Sequence, residues 1–361
     1  KNSVKADEKL AAARHYESAR EAALDGPNVP VTVYDTLLET VESNLGVLHR
    51  HAELKRDALG VDDLQMWDLY APLADGESPE LEYETAKEYV VDAVEPLGEA
   101  YQDRMAEGLE SRWVDVYETA NKQSGAYSGG TYDSQPYILL NYQDDIASMY
   151  TLAHELGHSM HSELTSETQP YVYSSYEIFV AEVASTVNEA LLTHHLLETV
   201  DDERFRRHVL DEYLERFRST LFRQTMFAAF EHRAHELERA GEALTPDRLD
   251  ELYRELKTEY YEPAAVDSRI AREWMRIPHF YRAYYVYQYA TGISAANAIV
   301  DRITEQGESA AADYREFLRS GSSAYPLELL ETAGIDMSTS EPVEAAIERY
   351  DGMLAEFESL K

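Results

Sequence analysis

The sequence predicts a mainly α-helical protein with one small β element. Apolar residues recur at spacings of three and four over most of the 361 residues, which is the pattern of amphipathic helices. Two stretches, Gln65 to Leu73 and Gly129 to Tyr142, interrupt this pattern, and their aromatic and β-branched content favours extended chain. The second stretch precedes the most informative helix of the chain.

Seven segments carry the helical spacing, and four short polar segments between them predict loops. The helical segments are residues 32–59, 86–110, 149–162, 178–197, 203–240, 246–261 and 284–304, and the loops are 74–79, 124–130, 166–170 and 320–326. The sequence has no internal repeat or Gly/Ser linker. Its length therefore predicts one large domain or two intimately packed ones.

Charge excludes several classes of partner. The chain has 69 acidic and 32 basic side chains, a formal net charge of −37. Because phosphate binding requires clustered Lys and Arg, we expect no nucleic acid partner, and acidic membrane surfaces are equally unsuited. The acids are dispersed and only eight residues are Lys, which favours a halophilic protein over an ordinary acidic one.

Membrane insertion and disulfide chemistry are not expected either. No run approaches 18 apolar residues, so the sequence predicts no membrane span. The chain has no cysteine, which is compatible with a reducing cytoplasm.

The helix predicted at residues 149–162 contains HELGH at residues 154–158, the pattern HExxH. Residues four apart share one helix face, so the imidazoles of His154 and His158 can bind one metal ion. Glu155 then reaches the coordination position where water binds. Apolar residues in the preceding turn place the helix in the core; two satisfied core histidines are the alternative interpretation.

A catalytic zinc site needs a third protein ligand. A third histidine in the metzincin spacing is excluded, because Leu164 stands where it would be. The helix at residues 178–197 is strongly apolar with Glu182 in its middle, and a buried Glu is costly unless it is paired or bound to metal. We therefore predict Glu182 as the third ligand. Ser185 and Glu189 fall on the same face, where they could orient the ligands by hydrogen bonding, and a surface or ion-pair role is the alternative for Glu189. An ion pair with an Arg is the alternative for Glu182.

Peptide hydrolysis also needs donors that stabilise the developing oxyanion. The segment from His279 to Tyr289 contains five tyrosines after one histidine, and Tyr hydroxyls are neutral donors. We predict His279 and Tyr289 as donors and Tyr285 as a substrate-binding residue, although tyrosines at helical spacing are often packing residues. Gly125 and Ala126 begin a Gly-rich extended run that would let a peptide substrate pair with a strand edge.

Taken together, these segments resemble the oligoendopeptidase F branch of the M3 metallopeptidases, relatives of thimet oligopeptidase. The N-terminal part, residues 33–73, is also similar to this branch, so the resemblance covers nearly the whole chain. The segments that carry it are SGAYSGGTYDSQPYILLNY (124–142), TLAHELGHSMH (151–161), YEIFVAEVASTVNEALL (176–192) and HFYRAYYVYQYATG (279–292).

The resemblance implies one Zn²⁺ per chain, held by His154, His158 and Glu182, with Glu155 as general base and His279 and Tyr289 as transition-state donors. It implies a multi-helix zincin-type fold with a deep channel that admits short unfolded peptides. We expect residues 1–361 to form a single catalytic region, with a helical lead-in at 1–85 and a zinc-binding core at 86–361. We also expect it to be the C-terminal part of the family architecture, without the additional N-terminal helical region.

The expected function is a zinc-dependent endopeptidase that hydrolyses short oligopeptides by Glu-assisted attack of water held at the zinc. The expectation that the N-terminal region is missing keeps open a second interpretation, a catalytically impaired peptide-binding or scaffold protein that retains a structural zinc. A zinc hydrolase acting on a non-peptide amide is a third, and the predicted strand edge favours peptides over it.

Overall fold

A computed structural model describes residues 1–360, and within that range the chain forms fifteen α-helices and three short β-strands. The predicted mainly α-helical class with a small β element is confirmed. The helices are α1 Asn2–Ala13, α2 Ala19–Asp25, α3 Val31–Ser43, α4 Leu45–Leu59, α5 Tyr83–Ala93, α6 Glu99–Glu110, α7 Ile146–Thr168, α8 Ile178–Thr199, α9 Glu203–Phe217, α10 Arg223–Arg239, α11 Pro246–Tyr260, α12 Tyr287–Gln306, α13 Glu308–Arg319, α14 Pro326–Thr332 and α15 Glu341–Ser359.

The strands β1 Val114–Asp115, β2 Tyr127–Gly129 and β3 Tyr137–Leu139 form one sheet in the order β1-β3-β2. β1 is parallel and β2 antiparallel to the central β3, with Ser128 opposite Ile138. β2 therefore lies at an edge of the sheet.

None of the helices described is long and apolar enough to cross a membrane.

The described chain divides into two compact units. The first unit comprises residues 1–75, 215–291 and 338–354, and the second comprises residues 76–214, 292–337 and 355–360. Helices α1 to α4, α10 and α11 belong to the first unit; α5 to α8, α13, α14 and the sheet belong to the second.

Helices α7 and α8 form the centre of the second unit, and most of their apolar residues are buried. In the first unit, α3 packs on α10, where the buried Tyr34 hydroxyl donates to the Ala228 carbonyl (2.7 Å). Large buried tyrosines dominate the core of the first unit. Each of their hydroxyl groups is polar and needs a hydrogen-bond partner.

Local backbone chemistry divides two of the predicted helices. The segment 32–59 breaks at Asn44, whose side-chain amide donates to the Thr40 carbonyl at the end of α3. The segment 86–110 breaks between α5 and α6, because Pro96 constrains the backbone and Gly98 adopts φ +92°.

Two further expectations are wrong. The segment Gln65 to Leu73 is not a strand: it contains a 3₁₀ turn, Asp68–Tyr70, closed by the Asp68 carboxylate, which accepts the Gln65 N–H (2.7 Å). The helix expected from residue 284 begins only at Tyr287, because Tyr284 adopts φ +54°, which no helix interior allows.

Candidate metal centre and catalytic residues

The three predicted metal ligands lie together on two packed helices of the second unit. His154 and His158 come from α7 and Glu182 from α8, and one ligand atom of each lies within 4.8 Å of the others. The Nε2 atoms of His154 and His158 are 3.5 and 3.8 Å from Glu182 Oε2. Two ligands bound at about 2 Å to one ion lie roughly 3 to 4 Å apart, so the donor set fits a single Zn²⁺.

Close packing of α7 on α8 brings Glu182 to the histidines. At Gly157, between the two histidines, an added Cβ would lie 2.6 Å from both the Ala184 carbonyl oxygen and Ser185 Cα. Only glycine allows this approach of the two backbones. The glycine of HELGH therefore has a structural role that the bare HExxH pattern does not require.

Each histidine is oriented by a hydrogen bond from the ring to a neighbouring group. His154 Nδ1 lies 2.6 Å from Glu189 Oε1, and His158 hydrogen-bonds the backbone of Ala181. Glu182 itself accepts a long hydrogen bond from the Ser185 hydroxyl (3.4 Å). Such partners fix the ring orientation and leave Nε2 directed at the metal position. Ser185 and Glu189 thus each contact a predicted metal ligand.

Burial controls the protonation of this cluster. It lowers the pKa of His158 to about 3, which keeps the imidazole neutral as a metal ligand must be. Burial also acts to lower the pKa of His154, but the hydrogen bond and charge of Glu189 outweigh it and raise that pKa. With the carboxylates of Glu155, Glu182 and Glu189 around two histidines, the cluster has an excess of acid that a divalent cation would compensate.

Glu155 is buried beside the metal ligands and is held by strand β2. Its side chain accepts a hydrogen bond from the Ser128 backbone N–H, while the Ser128 hydroxyl lies 2.8 Å from the Ser159 hydroxyl on α7. Burial raises the pKa of Glu155, and the charge of His154 opposes that shift. A carboxyl group that has a raised pKa and a fixed orientation is suited to general acid–base catalysis.

The predicted substrate-binding residues Gly125 and Ala126 directly precede the edge strand β2. Gly125 is exposed with φ +91°, and its carbonyl accepts a hydrogen bond from Asn141 Nδ2 (2.7 Å). Tyr127 in β2 is half exposed. An edge strand offers backbone groups to an extended peptide.

In the first unit, His279, Tyr285 and Tyr289 form one half-buried aromatic cluster, named here the donor cluster. The Tyr285 ring stacks on His279 (centroids 5.7 Å apart, 18° between planes), and the Tyr289 ring lies 5.9 Å from His279. The Tyr289 hydroxyl donates to the Tyr285 hydroxyl (3.4 Å), and the Arg282 guanidinium lies 4.2 Å from the Tyr285 ring centre. Burial and the Arg282 charge lower the pKa of His279, which favours the neutral imidazole.

Sequence reasoning missed Ser128, Ser159 and the Ala181 backbone, because their roles depend on which strand and helix pack against α7. The remaining histidine of this helix, His161, is a packing residue. It is buried and stacks on Tyr176 (centroids 3.7 Å apart, 7° between planes).

Comparison with known proteins assigns the family. The sequence profile of peptidase family M3 matches residues 1–349. The chain belongs to peptidase family M3. Oligopeptidase PepF of Bacillus subtilis is 48% identical over 358 residues, which are 99% of this chain and 53% of that protein. The chain spans little more than half the length of this curated relative.

Solved structures of related proteins have the same fold as this chain. The structure of oligoendopeptidase-F from Enterococcus faecium matches with a TM-score of 0.79 and 39% identity, over 99% of this chain and 58% of the other. A solved chain from Chlamydophila abortus matches with a TM-score of 0.91 and 39% identity, over 99% of this chain and 60% of the other. These likenesses agree with the helical fold.

Proposed function

We propose that this chain is the catalytic part of a zinc-dependent endopeptidase that hydrolyses short unfolded oligopeptides. The observation that carries the proposal is the convergence of two imidazoles and one carboxylate at a single point, with the buried carboxyl group of Glu155 beside them. The names of the relatives, oligopeptidase and oligoendopeptidase, support peptides as the substrate class.

His154, His158 and Glu182 would hold the zinc ion. When bound, Zn²⁺ acts as a Lewis acid and lowers the pKa of a water molecule to about 7. Glu189 would keep His154 in the tautomer that presents Nε2, and the backbone of Ala181 would do the same for His158.

Glu155 would act as the general base and then as the general acid. Its carboxylate would accept the proton of the attacking water and later deliver a proton to the leaving amine of the cleaved peptide bond. The hydrogen bond from the Ser128 N–H would help to orient this carboxylate for both transfers.

The proposal assigns oxyanion stabilisation to His279 and Tyr289, through neutral N–H and O–H donors. Tyr285 would bind substrate beside them. The backbone at Gly125 and Ala126, continuing into β2, would pair with the extended peptide. These roles rest on the motif positions and on the packing of His279, Tyr285 and Tyr289 into one cluster.

We also propose the reducing cytoplasm as the compartment, since the chain contains no cysteine, and concentrated salt as the working solution. A net charge of −37 opposes compaction until salt screens it. We expect the melting temperature to rise between about 0.1 M and about 2 M KCl. An unchanged or falling melting temperature would contradict halophilic adaptation.

The competing function is a helical peptide-binding or scaffold protein with a structural zinc. A structural site is closed by four protein ligands. Within residues 1–360, the candidate set contains three residues, His154, His158 and Glu182. The placement of Glu155 next to this set therefore favours catalysis over a scaffold role.

Glu155→Gln tests the proposal directly. We expect the variant to retain one zinc per chain and to lose cleavage of a quenched fluorescent peptide of about ten residues in high salt, because the amide cannot accept a proton. Glu167→Gln is the matched control, since Glu167 is an exposed carboxylate on the same helix. Wild-type cleavage by Glu155→Gln, or zinc with no cleavage by the unmodified chain, would contradict the peptidase assignment.

A further inference from the structure

The two elements that carry the donor cluster are connected through a residue in an unusual backbone conformation. Tyr284 lies between the 3₁₀ turn Pro278–Tyr281, which carries His279, and helix α12, which carries Tyr289. It adopts φ +54°, in the left-handed region that bulky side chains avoid. Outliers of this kind persist only where the surrounding structure holds them.

One buried carboxyl group holds the backbone of this residue. Glu231 on α10 is 4% exposed, and its Oε1 accepts the Tyr284 backbone N–H at 2.9 Å. The Tyr284 side chain is also buried on α10: its ring lies 4.9 Å from the His235 ring, and its hydroxyl is 3.4 Å from His232 Nδ1. Tyr284 is thus anchored inward through both its backbone and its ring.

The next residue shows the consequence of that anchor. Because Tyr284 is turned into the core, Tyr285 is directed to the other side of the turn, where it stacks on His279 and approaches Tyr289. The contact of the Tyr285 ring with His279 therefore depends on the backbone conformation of Tyr284.

Glu231 also lines a pocket of about 100 Å³, together with Phe230, Trp274 and Phe280. Close packing therefore restrains the Glu231 side chain on fewer sides than it restrains a fully packed residue.

We infer that Glu231 is a positioning residue, which holds Tyr284 in the left-handed conformation and thereby sets the arrangement of His279, Tyr285 and Tyr289. This inference rests on the proposed function, because it gives the donor cluster a task in catalysis. Burial raises the pKa of Glu231 to about 8, so the group is a neutral carboxylic acid at neutral pH and its carbonyl-type oxygen accepts the N–H.

The test compares an isosteric variant with one that has no acceptor. Glu231→Gln keeps an oxygen that can accept the Tyr284 N–H, and we expect its kcat to stay within about twofold of wild type. Glu231→Met fills similar volume without an acceptor, and we expect kcat to fall between about 10-fold and about 100-fold with KM and zinc content unchanged. Glu42→Met is the control for loss of a half-buried carboxylate in the same unit, since Glu42 bonds Arg233 and Tyr260 instead.

A second measurement reports the conformation of this turn and does not depend on catalytic activity. In histidine-labelled protein, the His279 ring resonance carries a ring-current shift from Tyr285, and its assignment follows from its loss in His279→Gln. We expect Glu231→Met to remove this shift and Glu231→Gln to retain it, with folding of both checked by circular dichroism. A retained shift in a folded Glu231→Met protein would overturn the inference.

The two proposals fail separately. If His279→Gln and Tyr289→Phe cleave peptides at the wild-type rate, the assigned donor roles are wrong, and the resonance still decides whether Glu231 holds the turn. If those variants are slow while Glu231→Met matches Glu42→Met in kcat, the positioning role is wrong and the donor roles stand.

Discussion

The candidate metal ligands and the donor cluster are built in opposite ways. His154, His158 and Glu182 stand on two long buried helices, α7 and α8, where regular helix geometry sets their spacing. His279 and Tyr285 stand on a short irregular segment that is half exposed. A metal requires ligands fixed to a few tenths of an ångström, and packed helices supply that rigidity.

The difference also appears in how each group is held. A carboxylate on the packed partner helix, Glu189, binds the ring of the candidate ligand His154 directly. The donor cluster is held one residue away, through the hydrogen bond from the Tyr284 N–H to Glu231. Separate perturbations of the two regions should therefore give different signatures.

The largest effect is expected when a metal ligand is removed. Glu182→Gln replaces a charged oxygen donor by a weaker neutral one, so we expect zinc to be lost and peptide cleavage to fall by more than about 10³-fold. Metal analysis and a cleavage assay measure both. Glu177→Gln, an exposed carboxylate at the start of the same helix, should match wild type. Full zinc occupancy in Glu182→Gln would show that Glu182 is not a ligand.

Glu231, which binds the backbone next to the donor cluster, should make the stability of the protein depend on pH. Its pKa is raised by burial from 4.5 to about 8, with the nearby charges of His235 and Asp7 acting in opposite directions. Below about pH 4.5 Glu231 is protonated in both states, and its contribution to the free energy of unfolding is complete. Above that pH Glu231 loses its proton in the unfolded chain but keeps it in the folded protein. The free energy of unfolding therefore falls by about 1.4 kcal/mol per pH unit until about pH 8.

Denaturant unfolding of wild type and Glu231→Gln checks this dependence. Between about pH 5 and about pH 8 the Gln variant should gain a few kcal/mol relative to wild type, because the amide does not titrate. A difference between the two proteins that is constant over this range would contradict the buried, protonated state of Glu231.

A smaller effect is expected from loosening the helix pair. In Gly157→Ala the new methyl group would meet the Ala184 carbonyl, so α7 and α8 must separate. We expect a loss of about 1 to 3 kcal/mol in stability, with weaker zinc binding.

Gly46→Ala in α4 is the matched control, since nothing lies within 4 Å of its added Cβ. It should stabilise the protein by roughly 0.5 to 1 kcal/mol, because alanine loses less conformational entropy in a helix. Equal effects of the two substitutions in unfolding experiments would show that Gly157 does not set the helix separation.

Sequence reasoning succeeded where regular periodicity determines position. The i, i+4 relation places His154 beside His158, and a lone acid in an apolar helix identified Glu182. It failed where a single dihedral angle or a single tertiary contact determines the position of a residue. Nothing in the residue order indicates that Tyr284 adopts positive φ, and the Ser128 N–H on Glu155 depends on how β2 packs on α7.

Gln65 to Leu73 fails for a related reason. Its composition favours a strand, but side chains satisfy its backbone groups, as when the Lys55 ammonium donates to the Ala71 carbonyl (2.6 Å). A strand forms only where a partner strand offers a ladder, and composition does not report that partner.

The most direct test of the metal site is anomalous diffraction at the zinc absorption edge from crystals of this chain grown with zinc. The account predicts one strong peak within about 2.2 Å of His154 Nε2, His158 Nε2 and a Glu182 carboxylate oxygen. No peak at these three residues, with zinc bound elsewhere on the chain, would contradict the account.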